Sequence, residues 1–129
     1  MWASSQIKSS IRRGSKVLLV IAHPDDEALF FSPLLIALNA SLCELSLLCL
    51  STGGFDGLGS TRRIELLKSA DCYCIDRNHV YQIDHENLQD GKESNWDPEL
   101  IKNILVEFLT SSEFDVVRIR SCTCNLIVF

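Results

Sequence analysis

The sequence predicts an α/β chain in which helices flank a parallel sheet, and three observations carry that expectation. Residues 17–22, VLLVIA, form a continuous apolar run rich in branched side chains, the pattern of a strand covered on both faces. Apolar runs of this kind alternate along the chain with segments of helical periodicity. Asp97, Pro98 and Glu99 then spell a helix N-terminus that opens onto a wide apolar stripe.

In chain order, the first strand leads into a helical stretch over 26–40 with Phe30, Leu34, Ala37 and Leu38 on one face, and Pro33 after Ser32 predicts a fresh helix start or a kink. Residues 44–50, ELSLLCL, form the second strand, closed by a polar, Gly-rich stretch from Ser51 to Ser60. Ser60 or Thr61 caps a helix to about residue 72, with Ile64, Leu67 and Ala70 spaced to bury one face. Residues 80–84 read as a third strand, and the polar segment 85–97 as a loop long enough to serve a function. The helix begun at Asp97 carries Leu100, Ile101, Ile104, Leu105, Phe108 and Leu109, and a fourth strand starts over 114–117. Right-handed crossovers turn this β-α-β-α-β-α-β order into a Rossmann-like parallel sheet. Such sheets bind ligands at the carboxyl ends of their strands, where His23, Ser51 and Asp84 fall.

A chain of 129 residues with 47% hydrophobic and 22% charged residues lies in the range of a single globular domain. Its net charge of −5 is uneven, because the Ser-rich leader of residues 1–16 holds Lys8, Arg12, Arg13 and Lys16 and no acid. The acidic remainder excludes a broad nucleic-acid surface. No run of about 18 apolar residues is present to span a bilayer. The leader reads as a disordered basic tail, with a targeting or juxtamembrane role as the alternative. Six cysteines without a secretory signal read as reduced thiols, and the one-residue spacing of Cys72/Cys74 and Cys122/Cys124 does not suit a zinc knuckle.

The chemistry is concentrated after the first strand, in Ala22-His23-Pro24-Asp25-Asp26-Glu27. An imidazole and three carboxylates crowded at a strand end repel one another unless a cation relieves them, and this donor set suits Zn²⁺. Pro24 restricts the turn so that His23 and Asp26 converge on one ion while Asp25 stays free beside it as a general base for amide hydrolysis. The competing reading is an exposed acidic cap on the following helix.

The hexapeptide is followed in order by FFSP, LCLSTG, the pattern G-x-G-S-x-R-x-x-E-L from Gly57 to Leu66, and NLQDG at 87–91. Together these motifs resemble the LmbE-like zinc de-N-acetylases, and most of all their eukaryotic branch acting on N-acetylglucosaminyl-phosphatidylinositol in GPI-anchor synthesis. The resemblance covers roughly residues 17–117. It implies an LmbE-like fold, His23 and Asp26 as zinc ligands and Asp25 as base. Arg62 would then hold a substrate phosphate or hydroxyl, although a purely structural Arg62–Glu65 pair on the helix stays open. A glycolipid substrate at a membrane surface, on the cytoplasmic face of the endoplasmic reticulum, follows from the same resemblance.

The family continues after its fourth strand with a Gly-His-x-x-His segment that completes the ligand set, whereas here residues 118–129 read RIRSCTCNLIVF. This divergent tail predicts an incomplete domain, a missing third ligand and doubtful activity, with low stability of the isolated chain. His85, or Cys122 and Cys124, are the weaker candidates to replace it. Two other readings stand beside the enzyme: an inactive isoform or fragment that only binds, and a de-N-acetylase of a soluble amino-sugar conjugate.

Overall fold

The computed structural model of the chain describes residues 11–91 and 95–120. Strands β1 (Lys16–Ile21), β2 (Glu44–Cys49), β3 (Val80–Gln82) and β4 (Val116–Arg120) form one sheet in the order β3-β2-β1-β4. All three pairings are parallel, with Val17 opposite Leu45 on one side and Val116 on the other. Helices α1 (Asp26–Phe30) and α2 (Ser32–Ala40) join β1 to β2; α3 (Gly59–Cys72) and a short 3₁₀ turn (Arg77–His79) join β2 to β3; α4 (Pro98–Thr110) joins β3 to β4. The expected parallel sheet flanked by helices is present.

Because successive side chains of a strand point to opposite faces, β1 splits its apolar run between two cores. Val17, Leu19 and Ile21 pack with Leu45, Leu47 and Cys49 under α2 and α3. Leu18 and Val20 pack with Leu48, Leu50, Leu88 and Trp96 under α4. Both faces of β1 and β2 are therefore dry, which explains why these strands read as continuous rather than alternating apolar runs. Each large aliphatic side chain so covered contributes roughly 1.5–3 kcal/mol.

Several elements differ in phase or length from the sequence reading. The 26–40 stretch breaks at Phe31, placing Pro33 in the first turn of α2, and the break resets the buried face to Leu35 and Leu38 while Ala37 is exposed. In α3 the buried pair is Leu66 and Ala70, with Ile64 56% exposed, and Leu58 rather than Ser60 or Thr61 stands at the N-cap. Leu66 and Ala70, one turn apart, join the same buried cluster as Leu47 and Cys49, so packing turns the helix away from Ile64. β3 ends at Gln82, two residues before Asp84, and β4 starts at Val116. In α4 the expected cap is made: the Asp97 carboxylate accepts from the Glu99 amide at 3.0 Å, and Ile101 and Leu105 are buried.

Residues 1–10 of the basic leader, 92–94 of the polar loop, and 121–129 with Cys122 and Cys124 lie outside the described residues.

Candidate functional site

The strand order reverses at β1: the chain steps outward through β2 and β3, then crosses back to lay β4 on the other side of β1. The carboxyl end of β1 is thus the switch point where open α/β sheets form a crevice, and the chain leaves it at Ala22 and His23. Neighbouring strand ends are tied to it. The Ser51 hydroxyl donates to the Ala22 carbonyl at 2.8 Å, and the Gln82 amide donates to the Ser51 carbonyl at 3.0 Å. Ser51, buried, is a fastening between strands.

The turn after β1 separates the three consecutive carboxylates. Asp26 and Glu27 face inward, 5% and 2% exposed, while Asp25 carries a side chain 60% exposed. This division follows from the backbone: Asp25 has φ +95°, in the left-handed region that costs a non-glycine residue about 1–3 kcal/mol. The strain is held by the Glu27 carboxylate accepting from the Asp25 amide at 2.9 Å and by Ala28 and Leu29 amides donating to the Asp25 carbonyl, each at 3.0 Å. The Asp26 carboxylate accepts from the His23 amide at 3.0 Å, closing the turn on itself. Glu27, to which the sequence assigned no role, is therefore a structural brace.

His23 lies between two carboxylates, with Nδ1 3.9 Å from Asp26 Oδ2 and Nε2 3.2 Å from Asp90 Oδ1. The Trp96 ring covers it at a centroid distance of 5.2 Å. Arg62 reaches in from α3. It donates to the Pro24 carbonyl at 2.8 Å and the Gly53 carbonyl at 3.0 Å, and pairs with Asp25 at 3.3 Å and Asp90 at 3.6 Å. Its ion pairs among the described residues are with these two aspartates and not with Glu65, which is exposed.

The fold therefore brings His23, Asp25, Asp26 and Arg62 together and adds Asp90 and Trp96, which the sequence reading had left in a loop. NLQDG marked the segment, yet spacing alone offered no sign that Asp90 returns to His23. Asp84 stays apart, accepting from Gln89 at 3.2 Å, and His85 Nδ1 accepts from the Asn87 amide at 3.1 Å. His79 sits at the opposite edge of the sheet, 4.0 Å from Glu44.

The donor set fits zinc in part. Four carboxylates around one guanidinium and one imidazole leave the crevice negative, which a divalent cation offsets. The 3.9 Å between His23 Nδ1 and Asp26 Oδ2 is less than twice a zinc–ligand bond of about 2.0–2.2 Å, so one ion can touch both. Among the described residues no group of three His, Cys, Asp or Glu is arranged to hold a metal.

The family model described as PIG-L: GlcNAc-PI de-N-acetylase matches residues 18–121. A probable N-acetylglucosaminyl-phosphatidylinositol de-N-acetylase of Schizosaccharomyces pombe is 46% identical over 83 residues, covering 64% of this chain and 34% of the relative. The N-acetylglucosaminyl-phosphatidylinositol de-N-acetylase of Bos taurus is 36% identical over 104 residues, covering 81% and 41%. That of Saccharomyces cerevisiae is 34% identical over 116 residues, covering 88% and 35%. The chain thus spans between 34% and 41% of the length of these relatives. Among solved structures, N,N'-diacetylchitobiose deacetylase from Pyrococcus horikoshii shares the fold with a TM-score of 0.66 at 23% identity, over 80% of this chain and 39% of that one.

Proposed function

Because the chain belongs to the PIG-L, GlcNAc-PI de-N-acetylase, family, we propose that it forms part of a hydrolase that removes the acetyl group of N-acetylglucosaminyl-phosphatidylinositol in GPI-anchor synthesis. The observation that carries this reading is the single turn after β1, which aims His23 and Asp26 at one point and leaves Asp25 open to the crevice beside them. Residues 17–117 supply this part of the catalytic domain.

His23 and Asp26 would hold the zinc ion, with at least one further protein donor expected from zinc's ordinary coordination. When bound, zinc supplies Lewis acidity toward an acyl oxygen and makes water a better nucleophile at neutral pH. The remaining work belongs to side chains. Asp25, accessible and oriented by Arg62 Nη2 at 3.3 Å, takes the proton of the attacking water on its carboxylate and returns it to the departing amine. The products are glucosaminyl-phosphatidylinositol and acetate. Arg62 turns its two Nη groups to the Gly53 and Pro24 carbonyls and to Asp90 and Asp25, and a substrate hydroxyl or phosphate would be held in competition with those aspartates.

A phosphatidylinositol substrate requires work at a membrane surface, which we place on the cytoplasmic face of the endoplasmic reticulum. No helix among the described residues is long and apolar enough to cross a membrane. The test is acetate release from N-acetylglucosaminyl-phosphatidylinositol and from a water-soluble N-acetylglucosamine conjugate, with and without added Zn²⁺. Zinc-dependent turnover of the glycolipid supports the proposal, and preference for the soluble conjugate moves the substrate class. A chain that retains zinc or glycolipid without turnover is a binding module.

A further inference from the structure

The segments that flank the crevice carry apolar side chains that neither core takes up. Leu29 on α1 is 68% exposed, and Phe55 and Leu58, in the loop that leads from β2 into α3, are 57% and 51% exposed. A single exposed leucine is ordinary on a protein surface, but three gathered at one edge of the sheet make a patch.

Arg62 gathers them. Leu29 follows the turn whose Pro24 carbonyl accepts from Arg62 Nη2 at 2.8 Å, and its own amide donates to the Asp25 carbonyl at 3.0 Å. Phe55 comes two residues after Gly53, whose carbonyl accepts from Arg62 Nη1 at 3.0 Å. The Gly57 amide donates to the Gly54 carbonyl at 2.9 Å, which closes a turn with Phe55 and Asp56 at its tip. Leu58 stands one helical turn before Arg62, and its carbonyl accepts from the Arg62 amide at 2.8 Å, so the two share a side of α3.

The charges that reach solvent on these segments give no excess of positive charge: Asp25 and Asp56 are exposed, and Arg62 and Arg63 are half-buried. A surface of this make-up is drawn to an interface by apolar area rather than by attraction to anionic lipid. The proposed substrate supplies such an interface, because its acyl chains stay in a bilayer while its sugar enters the crevice.

We propose that Leu29, Phe55 and Leu58 form a rim that dips into the interfacial layer of a bilayer and seats the crevice over a lipid-borne headgroup. This rests on the glycolipid reading given above and deepens it by assigning the face of the molecule that meets the membrane.

The experiment sediments the full chain with vesicles of phosphatidylcholine alone, at low and at high salt. Neutral lipid gives the basic leader nothing to attract, so binding to it reads the rim. The unaltered chain is expected to bind these vesicles independently of salt, and the combined variant Leu29→Ser, Phe55→Ser, Leu58→Ser to bind about 10-fold more weakly or worse. Val106→Ser, which removes a 53% exposed apolar side chain from α4, is expected to bind as the unaltered chain does. The rim is wrong if the unaltered chain ignores neutral vesicles, or if the combined variant binds as well as Val106→Ser. Self-association that the combined variant abolishes, without vesicle binding, makes a second copy of the chain the occupant and overturns the lipid. Phe55→Trp keeps the proposal readable where the combined variant fails to fold: its added emission should shift to the blue on neutral vesicles, and bound chain with no shift overturns the rim. Acetate release separates the two readings. Preference for a soluble conjugate by a chain whose rim still binds vesicles removes the glycolipid and leaves the membrane contact, whereas preference for the glycolipid with rim variants that bind normally removes the rim alone.

Discussion

Gly53 and Arg62 compete for the same space: a Cβ on Gly53 would stand 2.5 Å from Arg62 Nη1, the atom that donates to the Gly53 carbonyl at 3.0 Å. The guanidinium lies flat against bare backbone, and the φ of +63° at Gly53 makes a side chain there strained in any case. Gly53→Ala is therefore expected to push Arg62 off the Pro24 carbonyl and to destabilise the chain by about 1–3 kcal/mol. Gly57 has φ +73° but nothing within 4 Å of a Cβ, so Gly57→Ala should cost only the backbone term, about 1 kcal/mol. Urea denaturation of the two variants checks the contrast, and equal losses would mean that the Arg62 contact is not tight.

Asp25→Asn keeps the shape of the turn and removes the proposed proton acceptor. Deacetylation is expected to fall by about 10²–10⁴-fold while zinc affinity changes little, because the proposed ligating pair is His23 and Asp26. Single-turnover acetate release beside a zinc titration separates the two effects. Equal loss of metal and turnover would place Asp25 among the ligands instead.

The cysteines should differ sharply in reactivity. Burial pushes the Cys49 thiol up to about 12, helped by the nearby carboxylates of Glu27 and Asp26 and opposed by its contact with the Ser51 backbone. At neutral pH it is a thiol with no access to reagent, whereas Cys72 and Cys74 are exposed. Alkylation followed by peptide mapping should modify Cys72 and Cys74 in the folded chain and Cys49 only after denaturant is added.

Asp71 and Arg77 form an exposed forked pair, with contacts of 2.6 to 3.2 Å. The Arg77 hydrogen bonds hold the Asp71 carboxyl below its ordinary value of 3.8. A carboxyl depressed by folding contributes stability above its unfolded value, and that contribution fades as pH falls toward the lowered folded value. Arg77→Ala should raise the Asp71 midpoint in a carbon-13 carboxyl titration and flatten this acid limb. Both groups face water, so the change in overall stability is expected to be small.

Elements were legible where one local rule dominated. VLLVIA had to be a strand covered on both sides, and Asp97-Pro98-Glu99 had to start a helix, because side-chain branching, burial period and capping act within a few residues. On α2 and α3 the expected Leu38 and Ala70 are buried and Leu34 and Leu67 pack against the core, whereas Leu35 and Leu66 were missed because they are selected by what β1 and β2 offer rather than by their own period. Within the candidate site, the His23–Asp26 turn was visible because four residues make it.

The sequence by itself determined the strand-to-helix order, the family and the dense turn at the end of β1, all of which are written in short-range pattern and motif. Tertiary structure alone decided that Asp90 meets His23, that Arg62 turns inward to Pro24 and Gly53, and that Asp25 faces out while Glu27 faces in. Those partners come from separate loops that the parallel register of β1, β2 and β3 delivers to one edge. A long polar side chain chooses among partners by distance in space, and spacing along the chain does not carry that distance.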